Sequence, residues 1–190
     1  MNDGTLFRDY LASIGILPGI KVDKGAKDLS CHPNEKITEG LDGLRERLAA
    51  YYENGAKFCK WRAVITIANN IPSDACIESN MNALARYASL CQENNLVPIV
   101  EPEVLINGTH SIDDCDKVTR KSLSSLFSHL KMFNVYLPGT VLKPSMVISG
   151  QENDSRASYE EVASKTIACL KDFVPNDTAG IAFLSGGQTD

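Results

Sequence analysis

Seven ionisable side chains stand at alternate positions of the strand-like runs in this sequence. Successive side chains of a strand point to opposite faces, so residues of like parity share a face. On nearly every run the charges concentrate toward the C-terminal half, and the seven residues are Lys21, Asp23, Lys60, Arg62, Glu101, Glu103 and Lys143. Opposite charges gathered in one cavity are stable only when they pair and hydrogen-bond. The pattern therefore predicts a paired and slightly basic cluster, which suits a phosphorylated substrate.

Lys143 has the setting of an amine nucleophile. It ends a short apolar run in VLKPSMV (141–147), and the proline after it stops the strand. Burial and a neighbouring ammonium favour the neutral form of a lysine, which can attack a ketone, lose water and give an iminium that weakens the adjacent carbon–carbon bond. Glu101 is the nearest kind of group for the proton transfers. This chemistry predicts a lyase that uses no metal and no other cofactor.

A second candidate feature follows the last strand-like run. Ser185, Gly186 and Gly187 can present backbone N–H groups to a phosphate, in a region where barrel enzymes often bind one. The same tripeptide is also an ordinary turn, and the sequence leaves both interpretations open.

Helical and strand-like segments alternate along the whole chain and must position these residues. Apolar periodicity predicts helices over 5–14, 42–54, 77–93, 113–131 and 158–173, with Asp42 capping the second. Runs of strand character occupy 18–23, 57–67, 96–103, 139–144 and 179–187. This order is typical of right-handed βαβ crossovers and a parallel sheet covered by helices.

Two architectures fit the alternation, an open doubly wound sheet and a (β/α) barrel. A lone charge at the end of a strand is usually just solvated, but here five strands deliver polar groups on one parity. Because the other face packs on helices, these groups face into a barrel at its C-terminal end, where barrel enzymes keep their chemistry. The prediction is an α/β fold of the TIM (β/α)8 type, incomplete with about five βα units, in a single partial domain over 1–190.

Composition excludes several classes of protein. The 190 residues are 43% hydrophobic and 23% charged with a net charge of -5, which is typical of a globular protein and argues against nucleic-acid or membrane partners. No apolar run is long enough to span a membrane and no signal peptide is evident, so we expect a cytoplasmic location. Six irregularly spaced cysteines favour buried reduced thiols, and three scattered histidines make a metal site improbable.

Several motifs, in order and nearly in spacing, resemble those of class I fructose-bisphosphate aldolase, the metal-independent Schiff-base enzyme of glycolysis and gluconeogenesis. They are GIKVDKG (19–25), TEGLDGL (38–44), AKFCKWRAVI (56–65), LARYASLCQENNLVPIVEPEVL (84–105), VTRKSL (118–123), LKPSMV (142–147) and FLSGGQ (183–188). The resemblance covers almost the whole chain. It implies reversible cleavage of fructose 1,6-bisphosphate to dihydroxyacetone phosphate and glyceraldehyde 3-phosphate, commonly by a homotetramer.

The resemblance also implies a role for each matching residue. Lys143 matches the Schiff-base lysine and Glu101 the glutamate that moves protons. Lys60 and Glu103 match further active-site residues, and Asp23 belongs to the same predicted catalytic set. Residues matching phosphate sites are Lys21 and Arg62 for C6 and Ser185 and Gly186 for C1. Ser145 departs from the family's usual Leu-Lys-Pro-Asn, a minor change because the lysine and proline remain.

Length is the large departure, since a full barrel needs about 250 residues. Compared with the family, the sequence begins in the helix before the third strand and stops after the seventh. The first two strands with a catalytic aspartate, the eighth strand with its phosphate-site arginine and glycine, and the C-terminal tyrosine are all missing. We therefore expect a fragment with exposed edges and exposed inward charges, weakly active or inactive alone.

Three other functions compete with this interpretation. The first is a Schiff-base aldolase for a different sugar phosphate. The second is a non-catalytic aldolase-derived fragment that binds partners or intact aldolase subunits. The third, a metal-dependent enzyme, is disfavoured by the scattered histidines.

Overall fold

The computed structural model describes residues 4–188. Its helices are α1 (Phe7–Ser13), α2 (Leu44–Glu53), α3 (Asp74–Glu93), α4 (Ile112–Met132) and α5 (Tyr159–Phe173), with a 3-10 turn at Leu137–Gly139. Its strands are β1 (Gly19–Lys21), β2 (Ala26–Asp28), β3 (Lys36–Thr38), β4 (Phe58–Ile65), β5 (Val97–Val104), β6 (Val141–Leu142) and β7 (Gly180–Ile181). Within 4–188, none of the helices has the length and apolar content that a membrane crossing requires.

Five strands form a parallel sheet in the order β1-β4-β5-β6-β7. Neighbours in this sheet are successive strands of the predicted alternation, and a helix precedes each of β4, β5 and β7. Since β1 and β7 do not pair with each other over the described residues, the sheet is an open section of a barrel. The predicted parallel α/β architecture is confirmed in this incomplete form.

The outer face of the sheet packs on the helices and holds the apolar core. Alternate residues of β4, namely Cys59, Trp61, Ala63 and Ile65, are fully buried there. The ring of Trp61 stacks on Tyr87 of α3 with 5.5 Å between centroids. Each large apolar side chain buried in this way contributes about 1.5–3 kcal/mol. Because these alternate residues face the helices, the residues between them face the inner side of the sheet.

An antiparallel hairpin, β2 with β3, was not predicted from the sequence. Its strands are short and largely polar, so they lack the apolar alternation from which a strand is predicted. Asn80, fully buried in α3, holds the hairpin, because its Oδ1 accepts from the Thr38 N–H at 3.2 Å and its Nδ2 donates to the Lys36 carbonyl at 2.8 Å. The segment between β1 and α2 is therefore ordered by a side chain rather than by its own pattern.

Some predicted boundaries were wrong. Helix α2 takes Gly43 as its N-cap, with φ of 64°, and makes no side-chain cap, so Asp42 does not cap it. The runs 139–144 and 179–187 contain only two strand residues each. In the first, the chain turns at Leu137–Gly139 before β6 and meets Pro144 soon after it. Short strands at these positions leave long connections at the C-terminal end of the sheet.

Candidate active site

The charged residues of β4, β5 and the segment after β6 lie on the inner face of the sheet. In the β4–β5 register Arg62 stands opposite Glu101. The backbone N–H of Lys143 donates to the Val100 carbonyl at 2.8 Å, so sheet-like pairing with β5 continues one residue beyond the end of β6. Because buried apolar side chains fix the outer face, the inner face receives the ionisable groups.

Glu101 joins two lysines. Its Oε1 accepts from Lys143 Nζ at 2.8 Å, and its Oε2 lies 2.9 Å from Lys60 Nζ in an ion pair that lacks the geometry of a directed hydrogen bond. The Glu101 side chain is only 4% exposed, whereas both lysines are partly open to solvent. A buried carboxylate is stable when such partners offset its desolvation. The contact places a proton acceptor directly on the Lys143 amine.

Asp23 forms a second buried acidic centre beside the first. Its Oδ1 lies 2.6 Å from Lys21 Nζ and accepts from the Gly25 N–H at 3.0 Å. Its Oδ2 accepts from the backbone N–H of Arg62 at 3.3 Å, which ties the end of β1 to β4. Lys21 also donates to the Asp23 carbonyl at 2.9 Å. Asp23 is thus fixed by three different residues, while Lys21 remains largely exposed.

Glu103 pairs with Arg62, whose Nε donates to Glu103 Oε2. This hydrogen bond raises the pKa of the Arg62 guanidinium above its usual range, against the opposing effect of burial. The side chain of Glu103 is 7% exposed and that of Arg62 is 43% exposed. The expectation that the inward charges would be exposed is therefore wrong for the three carboxylates, which partners cover. It holds for the ends of Lys21 and Arg62.

A cleft of about 550 Å³ lies over part of this cluster. Its lining includes Arg62, Glu101, Glu103, Lys143, Ser185 and Gly186. Gly186 and Gly187 both have positive φ, at 63° and 85°. Over residues 4–188 the backbone N–H groups of 185, 186 and 187 donate no hydrogen bond, so they are available to an anion.

Three of the predicted residues stand beside the cleft rather than in its lining. Lys60 connects to it through Glu101, and Asp23 with Lys21 connects through Arg62. Two residues that the sequence reasoning missed, Leu105 and Asn107, do line it. Both are at alternate positions after Glu101 and Glu103, beyond the end of β5. This alternation could have predicted from the sequence that they line the cleft.

Metal ligation has no evident place in the part of the chain described. No group of three or more His, Cys, Asp or Glu side chains suited to a metal ion occurs there. All six cysteines are free, and five of them are buried.

A family model described as fructose-bisphosphate aldolase class-I matches residues 1–190. The chain belongs to the class I fructose-bisphosphate aldolase family. A relative from Xanthomonas axonopodis pv. citri, named a probable fructose-bisphosphate aldolase class 1, is 59% identical over 99% of this chain and 56% of its own length. The cytosolic fructose-bisphosphate aldolase 6 of Arabidopsis thaliana is 49% identical over 100% of this chain and 52% of its own.

The architecture matches this family as well. A solved fructose-bisphosphate aldolase from Plasmodium falciparum, in complex with TRAP and a small-molecule inhibitor, superposes with a TM-score of 0.95 at 46% identity. The match covers 98% of this chain and 54% of that one. The chain thus spans about half the length of the aldolases it matches.

Ser145, the departure noted in the aldolase motif, is buried behind the catalytic candidate. Its hydroxyl donates to the Val104 carbonyl at 2.9 Å. This bond joins the segment after Lys143 to the end of β5, which carries Glu101 and Glu103. Serine at this position therefore supports the site without facing the cleft.

Proposed function

We propose that this chain carries the imine-forming part of a class I fructose-bisphosphate aldolase site. The reaction is the reversible cleavage of fructose 1,6-bisphosphate to dihydroxyacetone phosphate and glyceraldehyde 3-phosphate. The observation that carries the proposal is the 2.8 Å contact between Lys143 Nζ and a Glu101 carboxylate that is almost fully buried. No metal or other cofactor enters this chemistry, because the iminium itself draws the electrons.

In the proposed sequence Glu101 takes a proton from the Lys143 ammonium and leaves a neutral amine. The amine attacks the substrate ketone to form a carbinolamine, and Glu101 returns the proton to the departing hydroxyl, which leaves as water. Glu101, deprotonated again, then takes the proton from the hydroxyl of the carbon that is released, so that this carbon becomes the aldehyde and the electron pair of the neighbouring carbon–carbon bond moves to the iminium to give an enamine. Protonation of the enamine carbon and addition of water to the restored iminium release dihydroxyacetone phosphate and free the Lys143 amine. Lys60, on the other oxygen of Glu101, keeps that carboxylate in place throughout.

The two phosphates of the substrate would lie on either side of this centre. Arg62 and Lys21 offer charged donors toward the β1 side, and a guanidinium can hold a phosphate with two parallel hydrogen bonds. The N–H groups of Ser185 and Gly186 offer neutral donors toward the β7 side. This division supports a bisphosphate over a sugar with one phosphate, and cleavage assays on several sugar phosphates would test that preference.

Borohydride trapping tests the imine directly. The purified chain is incubated with dihydroxyacetone phosphate and reduced, and the adduct is located by peptide mapping. We expect a mass increase on Lys143 that is lost in Lys143→Met and kept in Lys131→Met, which removes an exposed lysine of α4. A parallel sample of a full-length aldolase confirms the reagents. If that sample is labelled and this chain is not, the imine proposal for the isolated chain is wrong.

A second candidate function is association with aldolase subunits without catalysis. Both edges of the sheet favour it, since among residues 4–188 β1 and β7 each pair with a strand on one side only, and Ile181 and Phe183 are 41% and 52% exposed. Co-purification of the tagged chain with a full-length aldolase would support this function. A discrete monomer with turnover would contradict it.

The proposed setting is the cytosol, which the Arabidopsis relative named cytosolic supports. For the number of subunits we propose the homotetramer common in the family, and sedimentation of the purified chain tests it.

A further inference from the structure

A separate cleft of about 810 Å³ lies between the loop after β4 and the first turns of α4. The loop after β5 lines both this cleft and the candidate active site, so the two are neighbours. Leu105 and Asn107 of that loop face the active cleft, whereas Gly108, Thr109 and His110 line the separate cleft. The proposed aldolase chemistry uses no residue of this second space.

His110 lies in the lining of this cleft with its hydrogen-bonding capacity incompletely met. The residue is 7% exposed, and neither ring nitrogen has a hydrogen-bond partner of regular geometry within the described part of the chain. Burial lowers the pKa of His110, although the Asp114 carboxylate and the Ile148 carbonyl oppose the shift. A buried neutral imidazole offers one donor and one acceptor, and either of them costs free energy when it has no partner of regular geometry. A bound molecule with a polar group would satisfy it.

Helix α4 presents a mixed stripe to the same space, formed by Asp114, Lys117, Val118 and Lys121. Lys121 is already paired with Asp74, and Asp114 already accepts from the Ser111 backbone and hydroxyl at 3.0 and 2.7 Å. Lys117 makes no ion pair among residues 4–188. It is therefore the cation of this stripe that is free to meet an incoming anion.

The remaining walls set the other properties of a ligand. Ile67, Ile71 and Pro72 provide apolar surface from the loop after β4, and Val118 provides it from α4. Glu152 adds a carboxylate to the lining that forms no ion pair with a described residue. Together with Asp114, this carboxylate repels a multiply charged anion more strongly than a monoanion, because the repulsion grows with the charge of the ligand.

The wall of the cleft that contains Gly108, His110 and Glu152 is held in place by backbone hydrogen bonds. The N–H groups of Gly150, Gln151 and Glu152 donate to the carbonyls of His110, Ile106 and Gly108 at 2.9, 2.8 and 3.0 Å. A Cβ at position 150 would lie only 2.2 Å from the Gly108 carbonyl oxygen, so this close approach requires glycine. A preformed wall lowers the entropy cost of binding a small molecule.

We propose that this cleft binds a small organic monoanion with a flat apolar body and one hydroxyl or N–H group. Its carboxylate pairs with Lys117, its body lies between Pro72 and Val118, and its polar group hydrogen-bonds to the neutral ring of His110. Fructose 1,6-bisphosphate, with several negative charges and little apolar surface, does not fit these requirements. The site is therefore distinct from the substrate site and does not depend on aldolase activity.

Nuclear magnetic resonance of the histidine rings tests the proposal, because the chain has only three histidines. The probe is 4-hydroxybenzoate, added to the full chain up to about 10 mM, above the millimolar dissociation constant of a weak ligand. His110→Gln assigns the ring signal. Lys117→Met is the test variant, and Lys131→Met is the matched control, since both remove exposed lysines of α4 without a described ion pair.

We expect a saturable shift of the His110 signal and a dissociation constant about two- to fivefold higher in Lys117→Met, the effect of one exposed ion pair. Lys131→Met should bind as the unchanged chain does. If the His110 signal does not shift when 4-hydroxybenzoate is added, the proposal is overturned. A shift that Lys117→Met leaves unaltered overturns the assigned orientation, and equal binding of fructose 1,6-bisphosphate at this ring overturns the preference for a monoanion.

Discussion

The two faces of the parallel sheet differ in composition and burial, one being apolar and buried and the other charged and partly exposed. On the outer face Cys59, Trp61, Ala63 and Ile65 are completely buried against helices, and on the inner face of the same strand Lys60 and Arg62 reach solvent. Adjacent residues of β4 therefore alternate between packing in the core and facing the candidate site. Outer residues determine the free energy of unfolding, whereas inner residues determine the electrostatics of the candidate site. Substitutions on the two faces should separate these properties.

The largest expected effect is that of Glu101→Gln on the inner face. Glutamine keeps the shape but cannot take the proton from Lys143, so the rate of imine trapping should fall by about 10²–10⁴-fold, the usual contribution of a general acid–base group. Reduction kinetics followed by mass spectrometry would measure it. The circular dichroism spectrum of the variant should match that of the parent chain. An unchanged trapping rate would remove Glu101 from the mechanism.

The corresponding change on the outer face is Trp61→Ala. It empties the space between the sheet and Tyr87, and truncation of a buried Trp costs about 3–5 kcal/mol of unfolding free energy. Urea denaturation followed by circular dichroism would measure this, with Trp61→Phe as a milder control. If the variant unfolds at the same urea concentration as the parent chain, the outer face does not supply the stability assigned to it.

Arg62→Met tests how sharp the division is, because Arg62 lies on the inner face but covers a buried carboxylate. Its removal leaves Glu103 without its ion-pair partner, which should cost about 1–3 kcal/mol of unfolding free energy. Arg62→Lys keeps a cation and should lose less. Equal denaturation midpoints for the parent and Arg62→Met would mean that solvent satisfies Glu103 without this arginine.

The smallest effects at neutral pH concern the thiols. Burial raises the pKa of Cys76 and of Cys169 from 9.0 to about 11. At pH 8 both stay protonated and covered, so iodoacetamide should modify the exposed Cys31 and leave these two unreacted.

Unfolded thiols ionise near pH 9 and the folded ones only near 11, so stability is complete below pH 9 and declines as the pH rises toward 11. Denaturation midpoints across this range would show the decline, and a flat profile would contradict it.

The alternation of helices and strands was predictable because both periods appear in the sequence, and so was the parity that placed Lys60, Glu101 and Lys143 on one face. Which charges pair was not predictable, since this depends on register. Glu101 meets two lysines because β4, β5 and the segment after β6 align as they do. The β2–β3 hairpin depends on Asn80, a side chain distant in sequence, and local sequence patterns do not encode such a contact.

The shared position of Glu101 between two ammonium groups bears on the charge of the site during the proposed imine formation. A protonated Lys143 and the iminium formed from it both carry one positive charge on the same nitrogen. Under the proposed mechanism the carboxylate at 2.8 Å therefore faces the same counter-charge before and after the bond to substrate forms. In the proposed reaction the resting and the covalent state of the site therefore present the same charge to Glu101, so its environment is already oriented for the cation that the proposed imine step creates.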